Sequence, residues 1–85
     1  MKISVIIPAY NEENTILEIL LKVQQQNKDD RNLEVIVIDD KSEDNTRKIL
    51  KENKNLYTKL IELDKNLGKG GAVREGLKNA TGDYI

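Results

Sequence analysis

Two adjacent carboxylates, Asp39 and Asp40, end a run of four β-branched residues, Val35-Ile36-Val37-Ile38. Such a run reads as a strand buried on both faces, the kind found in parallel sheets. Buried charge is costly unless it meets solvent, a cation or a ligand, so acids at this place call for a partner. A second strand end repeats the plan, with Ile3-Ser4-Val5-Ile6-Ile7 running into Pro8-Ala9-Tyr10-Asn11-Glu12-Glu13. In open α/β sheets the crevice beyond the carboxyl ends of the strands is where ligands bind. An aromatic ring there can stack on a planar ligand, and a carboxylate can accept N–H hydrogen bonds. Adjacent side chains diverge, so one acid of the pair can face the crevice while the other caps or bonds the following loop.

A third element is glycine-rich: Asn66-Leu67-Gly68-Lys69-Gly70-Gly71-Ala72. The dinucleotide pattern G-x-G-x-x-G would need glycine where Val73 stands, and it should follow the first strand. The P-loop needs Ser or Thr after its lysine, whereas Gly70 follows Lys69. Two readings remain open. The element is either a cation-bearing turn at a helix N-terminus suited to an anion, or a tight turn whose small residues pack under the sheet.

Composition narrows the chemistry. With no His and no Cys, there is no Ser-His or Cys-His nucleophile, no disulfide and no ordinary zinc site. A net charge of −1, with lysines spread along the chain, gives no electrostatic footprint for nucleic acid. The apolar run at the N-terminus is too short for a signal peptide or a bilayer span, so a soluble, cytoplasmic chain is the default expectation.

The elements that must position these residues alternate strand and helix three times. Ile16, Ile19, Leu20 and Val23 follow helical spacing, with Leu17 and Leu21 widening the stripe, and Thr15 with Glu18 forms a possible capping box. Ser42 is the expected N-cap of a second helix reaching about Asn53, with Glu43 and Asp44 in its first turn. Leu56 to Leu63 reads as a third strand whose mixed polarity suits a sheet edge. A third helix over Lys69 to Thr81 carries Ala72, Gly76 and Ala80 as a small-residue stripe for close approach to a sheet, and Gly82 fits its C-cap. Arg74 and Lys78 fall off that stripe and read as a solvated face. Asp83-Tyr84-Ile85 then begins what looks like a fourth strand and the chain stops, which reads as one truncated domain over residues 1–85. The expected fold is a three-layer, Rossmann-like α/β unit with parallel strands ordered 3-2-1. If strand four only begins, strand one keeps an unmet edge, so a homodimer or a complementary C-terminal half is the expected partner.

An acid pair after a strand also occurs in response-regulator receiver domains, but those place the pair after the first strand and a phosphoacceptor after a later one. Here the pair follows the second strand and Asp64 comes too soon. A different resemblance accounts for all the blocks in order. Ser4 to Glu13, Val37 to Thr46, Asn66 to Leu77 and Gly82 to Ile85 together resemble the opening of the family 2 glycosyltransferases of GT-A fold, within them the polyprenol-phosphate (dolichol-phosphate) mannosyl- and glucosyltransferases. Lys41 departs from the pattern, since the family often has glycine there.

The resemblance implies roles. Pro8, Ala9, Tyr10 and Glu12 are similar to residues lining the nucleotide pocket. Asp40 is similar to the acid that hydrogen-bonds the base, Asp39 supports the loop or ribose, and Gly68 and Lys69 belong to the loop beside the nucleotide. The implied chemistry is sugar transfer from a UDP- or GDP-linked donor, with polyprenol phosphate among the acceptors. A divalent metal, Mg or Mn, is implied for the complete enzyme, but its Asp-x-Asp ligands would lie beyond Ile85. The chain alone is therefore expected to be catalytically incomplete, with any membrane association residing in parts it does not contain. The alternative reading is a non-catalytic remnant or stand-alone nucleotide-binding module.

Overall fold

The computed structural model describes residues 2–26 and 32–83. Strands β1 (Lys2–Ala9), β2 (Asn32–Asp39) and β3 (Lys59–Glu62) form one parallel sheet in which β2 lies between β1 and β3. Helices α1 (Ile16–Gln25) and α2 (Thr46–Glu52) connect the strands, and α3 (Gly68–Asn79) follows β3. This is the 3-2-1, Rossmann-like α/β arrangement that the alternating pattern predicts.

The β-branched run forms the centre because it can be buried on both faces. Val35, Ile36, Val37 and Ile38 are each at most 2% exposed. Val35 and Val37 pack with Ile7, Ile16, Leu20 and Leu50 on the side of α1 and α2. Ile36 and Ile38 pack with Ala72, Ile6 and Ile61 on the side of α3. The first two helices thus share a face, as right-handed crossovers require. The close approach expected of α3 occurs at Gly76, where a Cβ would stand 2.6 Å from Ile6 Cγ2 and 2.7 Å from Ile38 Cδ1. Leu77, beside Gly76 on the helix, is exposed.

Several boundaries differ from the sequence reading. Thr15 and Glu18 make no capping box. The Thr15 hydroxyl donates to Glu12 Oε2 at 2.7 Å, and Glu18 pairs with Lys22 along the helix. Leu17, Ile19 and Leu21 remain exposed, so the buried stripe of α1 is narrower than its apolar pattern. Ser42 does not cap α2, which starts at Thr46 with Glu43 and Asp44 outside its first turn. Asp44 serves the helix start instead, its Oδ1 accepting the Thr46 N–H at 2.9 Å.

The third strand is shorter than expected because Lys54–Leu56 forms a 3₁₀ turn. Thr58 then bonds Val35 through both its N–H and its hydroxyl, and regular pairing begins at Lys59. Helix α3 ends at Asn79 rather than Thr81, with Ala80 extended. Gly82 is therefore no helix cap. It packs against β1, where a Cβ would meet Ser4 Oγ at 2.5 Å. The Asp83 N–H donates to Lys2 O at 2.7 Å, so the chain runs beside the start of β1 there. The fourth strand expected at Tyr84 lies outside the described residues.

Candidate functional site

The three strand ends stand level, since Ala9 pairs with Asp39 and Asp39 with Glu62. The loops that leave them are fixed to one another. Asn11 and Lys41 both take left-handed backbone conformations, with φ of 51° and 60°. Asparagine tolerates that region and glycine prefers it, so the glycine common at the position of Lys41 in the resembling family has a conformational reason. Lys41 adopts the same turn at a steric cost.

Side chains then replace regular pairing between the loops. The Asn11 N–H donates to Ser42 Oγ at 3.0 Å, and Asn11 Oδ1 accepts the Glu43 N–H at 2.8 Å. The Glu12 N–H donates to Thr46 Oγ1 at 2.8 Å, and the Glu13 N–H to Asp44 Oδ2 at 3.2 Å. Burial works against ionisation of Asp44, but the Thr46 hydroxyl and N–H and the Glu13 N–H outweigh it and hold its carboxyl below the ordinary value.

The two adjacent acids diverge to opposite faces of the sheet, as strand alternation demands. Asp39 is fully buried toward α2, where its Oδ2 accepts from the Ser42 N–H and from Arg47 Nε. Arg47 Nη2 also donates to Leu63 O at 2.7 Å, tying α2 to the end of β3. The bond and charge of Asp39 raise the Arg47 pKa further. Asp39 Oδ1 is buried with no hydrogen-bond partner among the described residues. Asp40 turns the other way, toward α3. Its Oδ1 accepts the Leu67 N–H at 2.7 Å, and its carbonyl accepts from Asn66 Nδ2 at 3.1 Å.

Between these loops lies a cleft of about 430 Å³ lined by Pro8, Ala9, Tyr10, Glu12, Asp40, Asn66, Gly68 and Lys69. Seven of the eight site residues read from the sequence meet there, and Asp39 does not, because it faces α2. Tyr10 is 44% exposed, which leaves its ring available to a ligand. The glycine-rich element forms both the turn and the start of α3, and Gly68 takes a φ of 78° there. Arg74 lies exposed on α3, and Lys78 pairs with Glu75 at 3.2 Å.

Two participants escaped the sequence reading. Asn66 lay inside the glycine-rich block as an unassigned amide. Arg47 stood eight residues after Asp39, and its only signal was a cation beside the apolar positions of a helix. Among the described residues, no group of three or more acidic side chains is placed to hold a metal ion. Nor is any described helix long and apolar enough to cross a membrane.

Comparison with known proteins shows the family and the fold. The family model for glycosyl transferase family 2 matches residues 4–85. The poly(ribitol-phosphate) β-N-acetylglucosaminyltransferase TarS of Staphylococcus aureus is 39% identical over 87 residues, covering all of this chain and 15% of that protein. A crystal structure of TarS residues 1–349 with UDP-GlcNAc superposes with a TM-score of 0.85 at 34% identity, covering all of this chain and 26% of that one. The dolichyl-phosphate β-glucosyltransferase of Mus musculus is 38% identical over 94 residues, covering 99% of this chain and 29% of that protein. The mannosyltransferase PcManGT of Pyrobaculum calidifontis, solved with GDP-Man and Mn2+, superposes with a TM-score of 0.80 at 34% identity over 95% of this chain and 25% of that one.

The chain belongs to glycosyl transferase family 2, and its fold matches that of GT-A glycosyltransferases. It spans less than a third of the length of the curated relatives it matches.

Proposed function

We propose that this chain is the donor-nucleotide half of a glycosyltransferase that moves a sugar from a nucleotide diphosphate to an acceptor. The observation that carries the reading is the cleft itself, where Tyr10, Asp40 and Lys69 converge at the carboxyl ends of the strands. In this reading Tyr10 stacks on the base and Asp40 accepts a base N–H. Pro8, Ala9 and Glu12 wall the pocket, Gly68 and Lys69 lie beside the nucleotide, and Asp39 holds the loop beneath it. Neighbours solved with UDP-GlcNAc and with GDP-Man support a UDP- or GDP-linked donor. The relatives named for dolichyl phosphate and for poly(ribitol-phosphate) support a phosphate-bearing acceptor, polyprenol phosphate among them.

Manganese in the Pyrobaculum calidifontis neighbour supports a divalent metal in the working enzyme. The described residues of this chain do not form a site for it, so no step is assigned through a metal. What these side chains supply is recognition and orientation of the donor. Among the described residues, β1 pairs with no strand other than β2, which is the edge on which a second copy or a complementary half would add.

Calorimetric titration of the chain with UDP and GDP, with and without manganese, tests the reading. Weak, metal-independent binding is expected, and Asp40→Ala should weaken it by about 1–3 kcal/mol. Equal binding by that variant would remove Asp40 from the site. Sugar transfer by the 85-residue chain itself would overturn the division of labour.

A further inference from the structure

We propose that Asn11 is the positioning residue for Tyr10, fixing the backbone from which the exposed ring reaches the cleft. The proposal rests on the nucleotide-binding reading above and adds a residue that does not itself line the cleft. Tyr10 is 44% exposed, so packing does little to orient its ring. On one side its backbone is set by Ala9, which is buried, pairs with Asp39 and accepts the Asp40 N–H at 2.8 Å. What fixes the other side has to come from Asn11.

Asn11 meets two requirements at once. Its φ of 51° lies in the left-handed region, which asparagine bears more easily than most residues. Its N–H donates to Ser42 Oγ at 3.0 Å while its Oδ1 accepts the Glu43 N–H at 2.8 Å, closing a clasp onto the loop after β2. Glycine would allow the turn but lacks the acceptor, and alanine would be strained in it. The N–H groups of Glu12 and Glu13 follow onto Thr46 Oγ1 and Asp44 Oδ2. Three successive donors thus meet acceptors at every second residue of the other loop, which fixes the path of the chain leaving Tyr10. Both bonds of the Asn11 clasp are exposed to solvent. Water can replace either, so the clasp contributes little to stability, and what it sets is conformation.

Amide relaxation of the isotope-labelled free chain, followed by titration with UDP and with GDP, tests the proposal. Asn11→Gly keeps the turn and loses the acceptor. In that variant the Tyr10 amide should become mobile on the ps–ns timescale, while Leu67 and Gly68 across the cleft stay rigid. Its melting midpoint should fall by no more than about 8 °C. Nucleotide affinity should drop about fivefold to tenfold, the size of a weakened base–aromatic stack. Ser42→Ala should do the same through the other bond. Ser42→Thr, which keeps the hydroxyl, should restore native mobility and affinity, and this pair decides if Asn11→Gly does not fold. A rigid Tyr10 in Asn11→Gly and Ser42→Ala, or native affinity despite a mobile Tyr10, would overturn the proposal. Equal loosening of Tyr10 and Leu67 would also overturn it, since that is a general loss of structure. Each of these outcomes leaves the nucleotide site standing, whereas a native chain that binds neither nucleotide would defeat both.

Discussion

Glu34 and Asp40 stand at opposite ends of β2, on the same face and almost equally buried, at 2% and 3% exposure. Their surroundings differ in one respect. Glu34 is saturated: it accepts from the Ser4 hydroxyl, the Thr81 N–H and the Thr81 hydroxyl, each at 2.8 Å, with the ammonium groups of Lys2 and Lys59 both at 3.4 Å. Among the described residues Asp40 holds a single N–H, and one oxygen stays open to the cleft. A buried acid with every acceptor site filled joins elements together, here β1, β2, β3 and the segment after α3. A buried acid left partly unfilled requires something from outside. Burial alone does not separate a structural carboxylate from a binding one; an oxygen left open toward the cleft does.

The largest expected effect lies at the closed end. Glu34→Ala strands two hydroxyls, a backbone N–H and two cations at once. Its thermal midpoint should fall further than that of Arg47→Ala or of any substitution in the cleft, while the folded fraction keeps its affinity for UDP. A variant that melts like the native chain would erase the distinction between the two ends.

The same end should carry an acid dependence. The Thr81 N–H first, then the Thr81 and Ser4 hydroxyls and Lys59, hold the Glu34 carboxyl far below the usual range against the opposing effect of burial. The unfolded chain therefore binds this proton more readily than the folded one. The stabilisation is complete above about pH 5 and is lost progressively as pH falls from there toward the depressed folded-state value. Urea unfolding at pH 7 and pH 3 should show the loss, and it should be smaller in a Glu34→Gln chain, which has no carboxyl to titrate.

Asp39 tests the middle of the comparison, being at the ligand end yet facing away from the cleft. Arg47→Ala would leave this buried carboxylate without its cation. The cost should be about 2–3 kcal/mol in urea unfolding, below the usual range for a broken buried pair because the guanidinium is about one-third exposed. Nucleotide affinity should change little. A large loss of binding with little loss of stability would move Asp39 into the site. The smallest effect belongs to the rim, where Lys41→Gly should relieve the left-handed strain and stabilise the chain by about 0.5 kcal/mol.

The open end was the legible one. Acids after a β-branched run, an aromatic after a second strand, and glycines before a helix all carry their meaning in residue order, and the sheet then brings them together. Glu34 carried no such signal. Its partners Ser4 and Thr81 lie 30 and 47 residues away, so only the register of β1 on β2 and the extended exit after Asn79 reveal the cluster. The misplaced start of α2 has a related cause. Ser42 and Asp44 look like local caps, but in the fold both also accept N–H groups from the loop after β1, and the helix waits until Thr46. Gly82 was misread in the same way, because the feature that demands a small residue there is Ser4, a strand away.

Amide chemical-shift mapping of the isotope-labelled chain during titration with UDP tests the division between the two ends most directly. Shifts should concentrate at Tyr10, Asp40, Leu67, Gly68 and Lys69, with Lys2, Ser4, Glu34 and Thr81 unmoved. Shifts centred on Glu34 and Thr81, or none at Asp40 and Leu67 at saturating nucleotide, would contradict that division.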